Sequence, residues 1–250
     1  LLNLKMEILN KAHFYNSKFI VFGHRGVPEL CPENTIESFE RAVALNYSGI
    51  ELDVIRTADN VLIVNHDTIA KINNEEKKID QLEYKHLLEF YPSIPTLTNV
   101  LDVLGHRTNI NIEIKNQSFQ SSYVIDKTIS CLKTFNLIDN IVISSFNPKI
   151  IKKSKQIDDR FITAWILGQK NLRFYSSWKI ILNYFKPNAI HINHQYVNLQ
   201  IINRIHAHRM KILSYTVNSG EILEDLISKK IDGIFTDSPK ILELSKHLNP

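Results

Sequence analysis

Short β-rich apolar runs recur along this chain with amphipathic helical patterns between them, and that alternation limits the fold more than any other feature. The runs lie at 19–23, 49–54, 110–114, 140–144, 161–166, 189–192, 211–216 and 231–235; helical periodicity occupies stretches such as 121–134, 171–185, 198–207 and 221–228. Parallel strands need a crossover, and a helix between successive strands supplies one. Eight such runs predict an α/β fold, a closed (β/α)8 TIM barrel with reactive side chains gathered at the C-terminal strand ends. At 250 residues the chain is long enough for one well-buried core. The expected organisation is a single barrel domain over 19–250, preceded by a segment, 1–18, whose Leu2, Met6, Leu9 and His13 follow helical spacing and would close the barrel bottom. Residues 68–94 are polar and weakly periodic, with turn-formers at Asn73-Asn74. This connection predicts a short excursion after the second strand, a hairpin or helix beside an open mouth.

The stretch 20–67 concentrates the chemistry. The first apolar run stops at Gly23-His24-Arg25-Gly26, which delivers His24 and Arg25 into a loop, and Pro32-Glu33-Asn34-Thr35 opens a helix with Ile36, Phe39, Ala42 and Val43 at helical spacing. On the second strand, Glu51 and Asp53 share a face, roughly 6.5–7 Å apart. A third run, Val61 to Val64, ends in Asn65-His66-Asp67; if it runs parallel to the others, His24, Glu51, Asp53 and His66 converge. Glu113 and Lys115 repeat the i, i+2 geometry on the next main strand.

Three carboxylates at one mouth repel each other unless a hard divalent cation lies among them or some are protonated. Oxygen-only ligation favours Mg²⁺ or Ca²⁺ over zinc. The same acids would alternatively form salt bridges with Arg25 and Lys115 in a polar barrel core. His24 and His66 suit proton transfer, and Arg25 and Lys115 suit a phosphate, which fits phosphodiester cleavage. The Glu51/Asp53 spacing also approaches that of glycosidase carboxylates, but Arg25 and two histidines fit phosphate better. Trp165 and Tyr215 either line the pocket from the fifth and seventh strands or pack in the core. His191, Asn193 and His194 end the sixth strand as structural or substrate-facing groups more readily than as a metal site. Phe174, Trp178, Ile181 and Phe185 form a stripe expected to face the barrel.

A net charge of +4 without a dense basic run gives no support to nucleic-acid binding. Cys31 and Cys131 are the only cysteines, which fits reduced thiols in a cytoplasmic protein. No apolar run approaches a membrane span, so stable membrane insertion is not expected, and residues 1–18 lack a signal-peptide core. No oligomeric state follows from the sequence.

In order, the chain carries HRG at 24–26, PENT at 32–35, ELDV at 51–54, Thr57-x-Asp59, His66-Asp67, Pro95-Thr96-Leu97, IEIK at 112–115, SSFNP at 144–148, TVN at 216–218 and GIFTDSP at 233–239. Over nearly its whole length this series resembles the glycerophosphodiester phosphodiesterase family of phospholipase C-like TIM barrels. The resemblance implies hydrolysis of a small glycerophosphodiester to sn-glycerol 3-phosphate and an alcohol. It implies that Glu51, Asp53 and Glu113 hold one divalent cation, that His24 and His66 are catalytic, and that Arg25 and Lys115 contact phosphate. Ile69-Ala70-Lys71, Tyr215 and Ser219 depart from the common family pattern, which bears on substrate preference rather than the reaction. A lysophospholipase D-like enzyme and a non-catalytic glycerophosphodiester-binding barrel are the alternatives on the same frame.

Overall fold

The computed structural model describes residues 18–115, 121–169 and 178–248. Eight parallel strands close a barrel: β1 (Ile20–Gly23), β2 (Gly49–Arg56), β6 (Ile110–Ile114), β7 (Ile141–Ser145), β8 (Ile162–Leu167), β9 (Ala189–Asn193), β10 (Lys211–Tyr215) and β11 (Gly233–Thr236). The β1–β2 and β1–β11 pairings complete the closure. All eight expected strands are present, and a parallel barrel without edges explains why their residues are buried on both faces.

The helices form the outer layer: α1 (Ile36–Ala44), α3 (Leu97–Leu104), α4 (Ser121–Thr134), α5 (Pro148–Ile157), α6 (Trp178–Phe185), α7 (Leu199–Ala207), α8 (Gly220–Ser228) and α9 (Pro239–Leu248). Their starts are written locally. Thr35 caps α1 through the Ser38 amide, Thr96 and Asn99 form a reciprocal capping box on α3, and Asn147 precedes Pro148 at the first turn of α5. Each helix turns an apolar stripe inward; Trp178 is fully buried and Ile181 packs against the same cluster, as the stripe predicts. Phe174 and the expected N-terminal helix before Lys18 lie outside the described residues. Among the described residues no helix is long and apolar enough to cross a membrane.

Inside the barrel, alternate strand residues face the axis. Ile20, Phe22, Val142, Ile162, Ala164, Leu213 and Phe235 pack an apolar plug, with Phe22 and Phe235 stacked at 5.2 Å. Beyond this plug His24 just past β1, Ser144 on β7 and the acids of β2 and β6 take over, while Ile166 on β8 and Tyr215 on β10 keep part of the wall apolar.

The excursion after β2 comprises β3 (Leu62–Val64), the hairpin β4 (Ile69–Ile72) and β5 (Glu75–Lys78), a 3-10 turn at Ile79–Gln81 and α2 (Tyr84–Phe90). It has its own small core of Ile55, Ile63, Ile72, Ile79 and Leu87. The third run, whose direction the sequence left open, pairs antiparallel with β2, Val54 opposite Val64. It is a hairpin arm folded back over β2 and not a barrel strand.

Gly26 has φ +92°, and a Cβ there would collide with the side chain and backbone of Ser38. Ser38 Oγ in turn accepts from Val27 N at 2.7 Å and donates to the Arg25 carbonyl, so the HRG loop and α1 are locked together. Gly26→Ala is expected to destabilise the protein by on the order of 1–3 kcal/mol, read as a lower urea midpoint at unchanged slope.

Candidate active site

The site is built on the C-terminal ends of β1, β2 and β6. β1 stops at Gly23, and His24 N continues the ladder to the Thr236 carbonyl at 3.0 Å. Arg25 then adopts φ +54°, uncommon for a residue with a long side chain, and Asn34 closes the loop at φ +56° by donating its amide to the Arg25 carbonyl. The bend points Arg25 N at Glu51 Oε2, 2.9 Å away. Asn34 also exchanges two hydrogen bonds with Asp53, Nδ2 to Oδ2 at 3.0 Å and Asp53 N to Oδ1 at 3.3 Å.

Glu51 and Asp53 face the barrel axis, and Glu113 stands level with Asp53 across the β2–β6 ladder. One carboxylate oxygen from each of the three lies within 4.8 Å of the others, and among the described residues this is the one cluster able to hold a metal ion. Two cations already touch it. Lys115 Nζ is 3.0 Å from both Asp53 Oδ1 and Glu113 Oε1, and Arg25 Nε is 3.4 Å from Asp53 Oδ2. The Arg25 guanidinium also reaches Glu33 at 3.0 Å. The salt bridges that the sequence offered as the alternative are present, on the same three acids that could hold a metal ion.

The three acids are not equivalent. Burial, then repulsion from Asp53 and Glu113, pushes Glu51 well above the usual carboxylate range despite Arg25. Burial and Asp53 likewise raise Glu113 against the pull of Lys115. Burial also opposes the Asp53 carboxylate, but Lys115, Arg25 and the Asn34 amide outweigh it and hold its pKa below the ordinary value. Two buried acids that resist ionisation beside one that does not, with oxygen donors only, fit a hard divalent cation.

Both histidines are backed by carboxylates. His24 Nδ1 meets Asp237 Oδ1 at 2.7 Å, and Asp237 Oδ2 accepts from Asn218 Nδ2 at 2.6 Å. Asn218 Oδ1 is itself held by Thr236 Oγ1 and Asp237 N. His66 Nδ1 meets Asp67 Oδ1 at 2.9 Å in a more open setting. His66 reaches the site because Asn65 N bonds the Asp53 carbonyl at 3.0 Å, which anchors the end of β3 beside β2. Asp237, Asn218 and Asn34 had a visible signal in the GIFTDSP, TVN and PENT motifs, but sequence alone attached no role to them.

A cavity of about 380 Å³ joins these groups, with His24, Arg25, Glu51, His66, Glu113 and Lys115 among its lining residues. Of the two placements left open for Tyr215 it takes the pocket wall, its hydroxyl donating to the Leu167 carbonyl and its ring edge-on to Phe146. Trp165 does not. It occupies an outward position on β8, buried in the barrel–helix layer, while its neighbour Ile166 forms the wall. Its Nε1 donates to the Phe146 carbonyl at 3.3 Å, so it supports the loop that carries a pocket residue sequence did not single out. His191, Asn193 and His194 also line the cavity. Burial pushes the His191 pKa down to about 3, so it is neutral at physiological pH.

A family model described as the glycerophosphoryl diester phosphodiesterase family matches residues 24–241. A glycerophosphodiester phosphodiesterase from Caldanaerobacter subterraneus is 30% identical over 240 residues, covering 90% of this chain and 96% of the relative. One from Bacillus altitudinis is 29% identical, covering 88% and 94%. Among solved structures, an Oleispira antarctica phosphodiesterase in complex with the product sn-glycerol-3-phosphate superposes with a TM-score of 0.83 at 22% identity, covering 93% of this chain and 99% of that one. The Thermotoga maritima glycerophosphodiester phosphodiesterase gives 0.78 at 24% identity, covering 91% and 98%. With the family model spanning the barrel from the HRG loop to its last helix, the chain belongs to the glycerophosphoryl diester phosphodiesterase family.

Proposed function

We propose that this protein hydrolyses glycerophosphodiesters to sn-glycerol 3-phosphate and an alcohol, with His24 as general base and His66 as general acid. The observation that carries the reading is the convergence, in one cavity, of a buried carboxylate triad, two cations and two carboxylate-backed imidazoles. Family membership and the product-bound relative support the same chemistry.

Glu51, Asp53 and Glu113 would hold one Mg²⁺ or Ca²⁺, which when bound supplies positive charge for the phosphoryl oxygens. Arg25 and Lys115 add fixed positive charge where charge builds up in the transition state, and their carboxylate partners keep both side chains in place. The Asp237 carboxylate accepts from Nδ1–H of His24, which leaves Nε2 of the neutral ring with its lone pair, ready to take a proton from the attacking oxygen. His66 is the more exposed of the two, its side chain 36% accessible against 19% for His24. That position suits proton delivery to an alcohol departing through the mouth.

The direct test is release of glycerol 3-phosphate from glycerophosphocholine and glycerophosphoethanolamine after chelation, then with Mg²⁺ or Ca²⁺ restored. Metal-restored release is expected, and the better ion identifies the working cation. Release that survives exhaustive chelation would refute the cation's role. Inactivity on both diesters alongside turnover of lysophosphatidylcholine would replace the substrate class with a lipid headgroup.

A further inference from the structure

We propose that Asn111 reads a hydroxyl of the substrate's glycerol end from the floor of the cavity, a specificity role that rests on the phosphodiesterase reading above. Asn111 lies on β6, level with Glu51 across the ladder and two residues before Glu113 on the same face. It lines the cavity at only 1% exposure, and its Oδ1 has no hydrogen-bond partner among the described residues.

The neighbouring hydroxyl takes up the other end of the amide. Ser144 Oγ has one proton, directed to the Ile112 carbonyl at 3.5 Å, so it accepts from Asn111 Nδ2 at 3.0 Å. The carbonyl oxygen is therefore the unsatisfied atom, and it calls for a donor. A phosphoryl oxygen is an acceptor and cannot satisfy it. A metal ion fits poorly, because the bond to Ser144 draws the amide toward β7, away from β2 and two of the three carboxylates. Besides Glu51 across the ladder, which already accepts from Arg25 N, the cavity is lined at this depth by neutral His191 and the Phe235 ring edge-on to it, which carry no charge. A hydroxyl satisfies this spare neutral acceptor, whereas a second phosphate would meet the Glu51 carboxylate beside it.

The depth is also right. Lys115 Nζ folds back to the level of Asp53 and Glu113, which places phosphate-binding charge there. Asn111 is one pleat repeat deeper, about 6.6–6.8 Å along the strand. A three-carbon glycerol arm spans that gap, while the leaving alcohol points the other way, past Phe146 to solvent.

The test compares binding of sn-glycerol 3-phosphate and propyl phosphate, which lacks both hydroxyls, by calorimetry in the presence of Mg²⁺. Wild type is compared with Asn111→Ala and with Asn111→Leu, which keeps the branched heavy-atom skeleton without the amide. The wild type is expected to prefer glycerol 3-phosphate at least tenfold, and both variants to lose about tenfold or more of that preference through weaker glycerol 3-phosphate binding. Propyl phosphate affinity should shift by less than about threefold. An unchanged preference would mean that a bound water or the fold alone satisfies the carbonyl, and would overturn the proposal. So would a matching loss of Mg²⁺ affinity in Asn111→Ala, which would make the residue an ion ligand. Because this readout is binding, it stands apart from turnover: an Asn111-dependent preference in a protein that hydrolyses no diester would uphold the subsite and refute the catalytic reading.

Discussion

Replacing His24 by Ala is expected to lower kcat on glycerophosphocholine by about 10³–10⁴-fold, and replacing His66 by Ala to lower it comparably. The two losses should part company when the leaving group is changed. A glycerophosphodiester of p-nitrophenol expels a stabilised phenolate that needs no protonation, so general-acid catalysis contributes little to its cleavage. If His66 is the acid, His66→Ala should recover most of its activity on that substrate, while His24→Ala stays defective. The reverse pattern would exchange the roles, and equal defects on both substrates would remove the division of labour. Asp237→Asn supplies a further check on the base. Its amide can donate to His24 Nδ1 and stabilise the other tautomer, with the proton on Nε2 and no lone pair toward the substrate. Its loss should therefore appear in kcat and distort the pH profile, whereas KM changes little.

The barrel was legible because it is written in short-range terms. Each strand is a compact β-rich run, and the apolar positions of α4 and α7 recur at helical spacing, so element type and order follow from local periodicity alone. The inward pairing of Glu51 with Asp53 was legible for the same reason, since alternation along a strand is fixed by its pleat. Direction is not local. Nothing in Val61–Val64 distinguishes a parallel barrel strand from a hairpin arm, and only the pairing of Val54 with Val64 reveals which it is. Trp165 shows the other limit. An aromatic near a strand end suits either a pocket or a core, and its outward position is set by a register one residue removed from Ile166. The Asp237–Asn218 support of His24 spans 213 residues of sequence, and Asn111 is significant only because its carbonyl lacks a partner in three dimensions.

Neutralising two neighbouring acids of the triad should abolish turnover in both cases yet move stability in opposite directions. Asp53 is the acid on which the cations rest: Lys115, Arg25 and Asn34 all converge on it, and they hold its pKa low against burial. Asp53→Asn leaves Lys115 with one carboxylate and Arg25 without its buried one, and breaking such pairs costs about 3–5 kcal/mol. Glu51 is the acid that burial, Asp53 and Glu113 penalise when ionised. Glu51→Gln removes that penalty while its Oε1 still accepts from Arg25 N, so the metal-free protein should melt at the same temperature or higher. The pH dependence follows from the signs. Because Glu51 and Glu113 have raised pKa values, the folded state binds more protons than the unfolded one, and metal-free stability falls as pH climbs from the ordinary carboxylate range toward those raised values. Asp53 contributes oppositely; its stabilisation is present above the ordinary Asp pKa and is lost as pH falls through its lowered one. A bound divalent cation reverses the Glu51 and Glu113 penalty, so Mg²⁺ or Ca²⁺ should raise the melting temperature of the wild type more at pH 8 than at pH 5. Thermal unfolding of the three proteins with and without cation reads all of this. A large stability loss in Glu51→Gln, or a cation shift that survives in it, would mean that Glu51 serves the fold rather than the ion.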